Sequence, residues 1–245
     1  MDSAREIYDN VSIRILPNGV SFFIRDNAGN VLLSDKIEQQ GLPEGEAVRE
    51  SILLSGILEK SCKSIKIIIP TPLYTLLPES IFDEATIDEY YKAVIGDPSG
   101  KRLLYQHLEG TELYIVFAMD EALYDFLSRS FITFEAEHHL SPLLTLLSTK
   151  IPYTSRRVVC VSHEAQLLSI VFFKEGAFFS ANTFRCASTD DALYYILSTW
   201  KQLRCDQEND SLYITEEGDF QEVLLRELRP YIKQSAFLII NKEEI

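Results

Sequence analysis

Few side chains in this 245-residue chain stand at spacings that do chemistry, and each such set has a plain structural use beside it. Gly96-Asp97-Pro98-Ser99-Gly100-Lys101 resembles a glycine-rich phosphate loop, in which backbone N–H groups surround an anion and a lysine meets its charge. Only three residues separate the two glycines, and Arg102 stands where a hydroxyl should hold magnesium. The segment is expected to be a turn. His138-His139 with Glu135 and Glu137 carries donor atoms for a divalent cation. Neighbouring residues of a strand point to opposite faces, so the expectation is a solvated strand end or turn and no metal site. His163 near Cys160 lacks a third group to orient it as a base, and Cys160 suits a small buried hydrophobe. Asp190-Asp191 fits the start of a helix, where the dipole favours acids, better than a pair of catalytic carboxylates. Asp83, Glu84, Asp88 and Glu89 fit a solvated helix face. No catalytic residue, metal ligand or cofactor is expected from these sets.

The charge balance narrows the partners. Lys and Arg number 23 against 37 Asp and Glu, a formal net charge of −14. Such a surface repels phosphate backbones and anionic lipid, so nucleic acid is not an expected partner. No apolar run is long enough for a membrane span. The opening MDSAREIYDN has mixed charge and no apolar core, unlike an export signal. Cys62, Cys160, Cys186 and Cys205 form no C-x-x-C pair, and reduced thiols in the cytoplasm are expected. Hydrophobic residues at 46% supply ample material for a packed core.

The elements that must position these residues begin with a meander. Val11, Ile13 and Ile15 alternate with polar neighbours, then Val20, Phe22 and Ile24 do so again, and Val31-Leu32-Leu33 follows. Asn18-Gly19 between the first two runs suggests a type I′ hairpin turn. A helix is expected over Glu44 to Cys62 and a buried strand over Ser64 to Ile69. The stretch Thr71 to Gly110 reads as an insertion with a short helix at Asp83 to Val94. Strands at Leu103 to His107 and Leu113 to Phe117 come next, then a helix over Asp120 to Ser128. A strand at Phe131 to Phe134 and a helix at Ser141 to Ser148 complete the half. The opening then repeats: strands at Val158 to Val161, Leu167 to Phe173 and Ala177 to Ala181 precede a helix capped by Thr189. In that helix Leu193, Ile196, Leu197 and Trp200 form one apolar stripe. A strand at Leu212 to Ile214, a helix at Asp219 to Ile232 and a strand at Ala236 to Ile240 end the chain. Phe172, Phe173, Phe178 and Phe179 alternate as core, with Phe173 and Phe179 a candidate exposed pair on the other face.

Each half thus has the order β-β-β-α-β-α-β, which implies a mixed sheet covered by helices. Two such halves in tandem resemble the actin-like ATPases, the class of actin and the sugar kinases. The first lobe is expected at residues 1–150, with its insertion at about 71–110, and the second at 151–245. Two segments carry a closer resemblance. Tyr74-Thr75-Leu76-Leu77-Pro78 with Phe82 is similar to the "TLVP…F" segment of an uncharacterised bacterial family. Asn182-Thr183-Phe184 with Asp190-Asp191-Ala192-Leu193-Tyr194-Tyr195 is similar to its "N-x-F…D-x-L-Y-Y" segment. That family is a domain of unknown function to which the actin-like ATPase fold, with ribonuclease H-like lobes, is assigned. The resemblance implies two mixed five-stranded sheets flanked by helices and no activity.

An actin-like ATPase needs an acid at the end of each half's first strand to hold magnesium, and glycines in the hairpin that follows for phosphate contact. Here the first hairpin offers Pro17, Asn18 and Gly19, and proline has neither carboxylate nor N–H. The second offers His163 and Glu164 with no glycine. The late loop that packs against adenosine holds Glu216, Glu217 and Gly218, where acids oppose an anionic ligand. All of these positions are degraded relative to the fold's nucleotide elements. The expected function is therefore non-catalytic binding of another protein, or of itself, with a cleft between the lobes poor in phosphate and metal ligands. The alternative is a nucleotide-dependent phosphotransferase or ATPase whose metal acids are Asp26, Asp35 or Glu164.

Overall fold

The structure, a computed structural model, describes residues 7–26, 28–151 and 156–240. They fall into two compact units, one running to Leu108 and resuming over Glu112–Ser141, the other comprising Glu109–Thr111 and the chain from Pro142.

In the first unit, β1 (Ile7–Leu16), β2 (Gly19–Arg25) and β3 (Val31–Glu38) form an antiparallel meander. Apolar alternation sets its register. Val11, Ile13 and Ile15 stand opposite Ile24, Phe22 and Val20, and all six are buried. Each such side chain contributes about 1.5–3 kcal/mol on leaving water. Helix α1 (Glu44–Leu54) buries Ala47, Val48, Ser51 and Ile52 and packs against β2. Strand β4 (Ser61–Ile69) then runs parallel to β1.

The insertion that follows builds its own sheet from β5 (Tyr74–Pro78), then helix α2 (Ile87–Val94), β6 (Lys101–Leu108) and β7 (Leu113–Asp120), in the order β5-β7-β6. One face of it packs Leu77, Val116 and Ala118 against Ile87 and Tyr91 at α2. Asp120 caps α3 (Glu121–Ser130), its carboxylate accepting from the Leu123 N–H at 3.1 Å. Strand β8 (Glu135–His138) pairs parallel to β4 and completes the order β3-β2-β1-β4-β8.

Helix α4 (Leu140–Lys150) leads into the second unit. There β9 (Arg157–Glu164), β10 (Leu167–Lys174) and β11 (Ala177–Arg185) form a second meander. Helix α5 (Thr189–Gln202), β12 (Ser211–Ile214), α6 (Asp219–Leu228) and β13 (Gln234–Phe237) follow. The strand order β11-β10-β9-β12-β13 repeats that of the first unit, strand for strand. Val159, Val161, Leu168, Ile170 and Phe172 pack against Ile196 and Trp200 of α5 and Leu224 and Leu228 of α6. Leu193 and Leu197 lie half-buried against the same core, as the apolar stripe requires.

Several boundaries differ from expectation, each for a local reason. The helix expected to Cys62 stops at Leu54, because Gly56 takes a left-handed conformation (φ 65°) and β4 opens at Ser61. The strand expected at Phe131 to Phe134 lies instead at Glu135–His138, where pairing with β4 outweighs the poor strand propensity of glutamate. The inserted sheet runs to Asp120, beyond Gly110, and includes β5, which Pro72 and Pro78 disguise. Ser188, not Thr189, caps α5, its hydroxyl accepting from the Asp191 N–H at 3.2 Å. Helix α6 ends at Leu228, just short of Pro230. Strand β11 extends to Arg185, and β13 ends at Phe237 rather than Ile240. Phe173 is buried while Phe179 is exposed, so the two form no exposed pair.

Candidate functional site

The first hairpin is built to fit the chain itself. Leu16 pairs with Gly19, so the two-residue turn is Pro17-Asn18, and neither residue has a positive φ. A type I′ turn would need both positive, so that expectation fails: proline locks its own φ negative. Gly19 is the first residue of β2, and a Cβ there would stand 2.0 Å from the Ile37 carbonyl oxygen and 2.9 Å from Ser51 Oγ. Its hydrogen occupies the only space that β3 and α1 leave. Gln39 N–H donates to the Asn18 carbonyl at 2.7 Å and seals the turn to the end of β3.

The second hairpin solves the same turn differently. Glu164 pairs with Leu167, leaving Ala165 (φ 51°) and Gln166 (φ 61°) as a two-residue turn with both φ positive. Side chains stand where glycine would be easiest, at roughly 1–2 kcal/mol per residue. His163 stacks on Phe220 of α6, centroids 4.1 Å apart, and its Nε2 lies 3.1 Å from the Cys186 carbonyl. Cys160 points to the opposite face of β9, buried, its thiol pushed up by that burial. The two form no dyad. In the late loop Ser162 Oγ donates to Glu216 Oε1 at 3.5 Å. Gly218 opens α6 in an extended conformation, and a Cβ there would press on the Gln221 side chain.

Asp26 and Asp35, two of the alternative metal acids, lie apart on the first meander. Asp26 follows the far end of β2, about 20 Å along the strand from Gly19. Its carboxylate accepts from Ala28 N–H, Asn30 N–H and the Asn30 side chain, and these bonds hold it below the usual carboxylate range. Asp35 sits exposed on β3 opposite Phe22, mid-strand. Glu164 belongs to the other unit. Among the described residues no three His, Cys, Asp or Glu side chains gather as metal ligands. Gly96 to Lys101 is a turn, with Asp97 accepting from Ser99, and it runs into β6 rather than a helix.

His138 and His139 are not solvated. Both are buried, with ring centroids 4.3 Å apart, because His139 lies just past the end of β8, where strand alternation no longer applies. His138 Nδ1 accepts from the Leu140 N–H at 3.3 Å, so Nε2 carries the proton and donates to the Thr71 carbonyl at 3.1 Å. Burial, then neighbouring His139, holds the His138 pKa well below the ordinary histidine value. Burial and nearby Arg14 lower that of His139 to about 3. Gln106 on β6 joins the group: its Oε1 accepts from His138 N–H at 3.2 Å and Ser141 Oγ at 2.8 Å, and its Nε2 donates to Glu137 at 3.4 Å. Lys66 completes the set, 3.5 Å from Glu137. The network joins the inserted sheet to β8 and has the geometry of a structural junction. Gln106, Ser141, Lys66 and Arg14 carried no motif that spacing could have flagged.

The family model for a protein of unknown function, DUF3822, matches residues 2–234. The chain belongs to this family. A protein of actin-like ATPase fold and unknown function from Bacteroides thetaiotaomicron VPI-5482 is 25% identical, with a TM-score of 0.87 over 99% of this chain and 96% of that one. The DUF3822 chain therefore has the actin-like ATPase fold that its element order implied. A type IV pilus biogenesis complex of PilM and PilN contains a chain with the same fold, at a TM-score of 0.57 and 11% identity over 94% of this chain and 88% of that one. No match is found among curated proteins. No helix among the described residues is long and apolar enough to cross a membrane.

Proposed function

We propose that this DUF3822 protein is a non-catalytic actin-like protein that acts by binding another protein. The observation that carries the proposal is Gly19, the one glycine in either hairpin, whose open side is filled by the Ile37 carbonyl instead of being free for a phosphate. Support comes from the rest of the set. Pro17 lacks an N–H, Ala165 and Gln166 place side chains over the second turn, and Glu216 brings a carboxylate to the late loop. PilM, which shares the fold, stands in a complex with PilN, so a chain of this architecture has a protein partner in that instance.

Calorimetry with magnesium-ATP and magnesium-ADP tests the proposal. No heat of binding is expected at micromolar protein. Saturable binding that Glu164→Ala abolishes would instead support the phosphotransferase alternative and remove the proposal.

A further inference from the structure

In the inserted sheet α2 covers only part of one face. The register sets Tyr105 and His107 of β6 beside Val116 and Tyr114 of β7, on the side where Val116 and Ala118 meet Ile87 and Tyr91 at α2. Val116 is buried there, whereas Tyr105 is 38% exposed and His107 is exposed too. Phe82, in the connection between β5 and α2, reaches back over this open end. It stacks on Tyr114 with centroids 3.8 Å apart. Tyr105 tilts against Phe82 at 5.1 Å, and His107 meets Tyr114 edge-on at 5.1 Å. A carboxylate stands at each end of this row of rings. Glu79 lies 3.9 Å from His107 Nε2, and Glu84 accepts from the Tyr105 hydroxyl, a bond that raises the phenol above its ordinary pKa. Both acids are exposed. The two cations of β6 are engaged elsewhere: Lys101 pairs with Asp120 at the other end of the strand, and Arg102 lies over the Tyr124 ring of α3.

We propose that this row of rings is a docking site for an extended, basic segment of a partner protein. This rests on the protein-binding function proposed above and names the partner's chemistry. A guanidinium or ammonium group is drawn both to the face of a tyrosine ring and to a carboxylate, so Tyr105 with Glu84 is a two-part seat for one cation. Glu79 beside His107 supplies a second carboxylate. Tyr105 and His107 are two residues apart on β6, about 7 Å, so a short extended segment with basic residues at alternate positions reaches both ends of the row. Exposed ion pairs are individually weak, and the ring surface between the acids supplies the apolar contact they lack. Charge decides the occupant. A net charge of −14 draws a basic segment toward this chain. An acidic segment, or a second copy of the chain, brings like charge against Glu79 and Glu84.

Fluorescence anisotropy of a labelled peptide that alternates arginine and proline, titrated with the full chain, tests this. Proline holds the probe extended at little entropic cost. Saturable binding is expected, weakening as salt is added. Tyr105→Ala should weaken it about tenfold or more. Glu84→Gln, which keeps the size of the side chain and an acceptor for the Tyr105 hydroxyl, should weaken it about fivefold. If Tyr105→Ala lowers the melting temperature, Glu84→Gln and Glu79→Gln carry the test. Asp35→Asn removes an exposed acid from β3 and should leave binding unchanged, which separates the site from the general attraction of an acidic chain. A peptide with glutamate in place of arginine should not bind. The proposal is overturned by an arginine peptide that fails to saturate through the micromolar range, by an equal loss with Asp35→Asn, or by equal binding of the glutamate peptide. A dimer in sedimentation velocity that Tyr105→Ala dissolves would also overturn it, assigning the rings to a second copy. No readout here involves nucleotide, so failure of the peptide leaves the non-catalytic function standing. Nucleotide binding in the calorimeter would remove that function without altering the anisotropy.

Discussion

At Gly19 a single methyl group should cost more than its size suggests. Gly19→Ala places a Cβ against the Ile37 carbonyl of β3, which the ladder to β2 holds in place, so that carbonyl has little room to yield. The expected loss is about 3 kcal/mol, read as a shift in urea midpoint without a change in m-value. A loss below about 1 kcal/mol would mean that the hairpin is loose and that Gly19 is an ordinary turn residue. The buried histidines make a second prediction at this scale. His138 and His139 are neutral in the folded state, while in the unfolded chain they titrate near 6.5. Below that pH the unfolded chain binds more protons, so stability is full above about 6.5 and falls as pH drops toward 3. The slope is roughly 1.4 kcal/mol per pH unit for each histidine that stays neutral. Denaturant midpoints measured between pH 7.5 and 5 should show this, and His138→Gln should flatten the decline. An unchanged midpoint over that range would place both rings in water.

Among the elements, α5 carries the clearest energetic claim. Trp200 is 4% exposed and lies between α5, α6 and the second sheet. Trp200→Ala should destabilise by about 3–5 kcal/mol through lost burial and the cavity left behind, and a change under 1 kcal/mol would contradict the packing. This stripe was legible in the sequence because it is local: four apolar residues at helical spacing. The meanders were legible for the same reason, since a period of two fixes which side chains share a face. What escaped depends on distant partners. The strand Glu135–His138 is acidic and reads as loop until Lys66 and β4 stand beside it. His138 and His139 read as solvated because their surroundings come from Thr71, Gln106 and Arg14, far away in the chain. The turns show a subtler limit. Asn18-Gly19 has the composition of a type I′ turn but does not form one, whereas Ala165-Gln166 lacks that composition and has both φ positive. Strand register, not turn chemistry, decided both. Pro17, Gly19, His163 and Glu216 were legible as residue types. That Gly19 is closed by Ile37 was not, because it depends on how β3 lies.

For the whole molecule, charge and topology point the same way. Both units repeat one strand order, the frame on which actin-like ATPases hold nucleotide, yet the chain carries a net charge of −14 and a carboxylate in the late loop. A triphosphate adds roughly four negative charges, and with nothing to offset them its approach to a surface of that charge costs several kcal/mol at an effective dielectric near 20. A melting experiment tests the proposed non-catalytic function most directly. Millimolar magnesium-ATP raises the melting temperature only if its dissociation constant lies well below that concentration. The expected result is no shift beyond that given by equal pyrophosphate or salt, together with no release of phosphate. A rise of several degrees specific to ATP, or measurable hydrolysis by the pure chain, would contradict it.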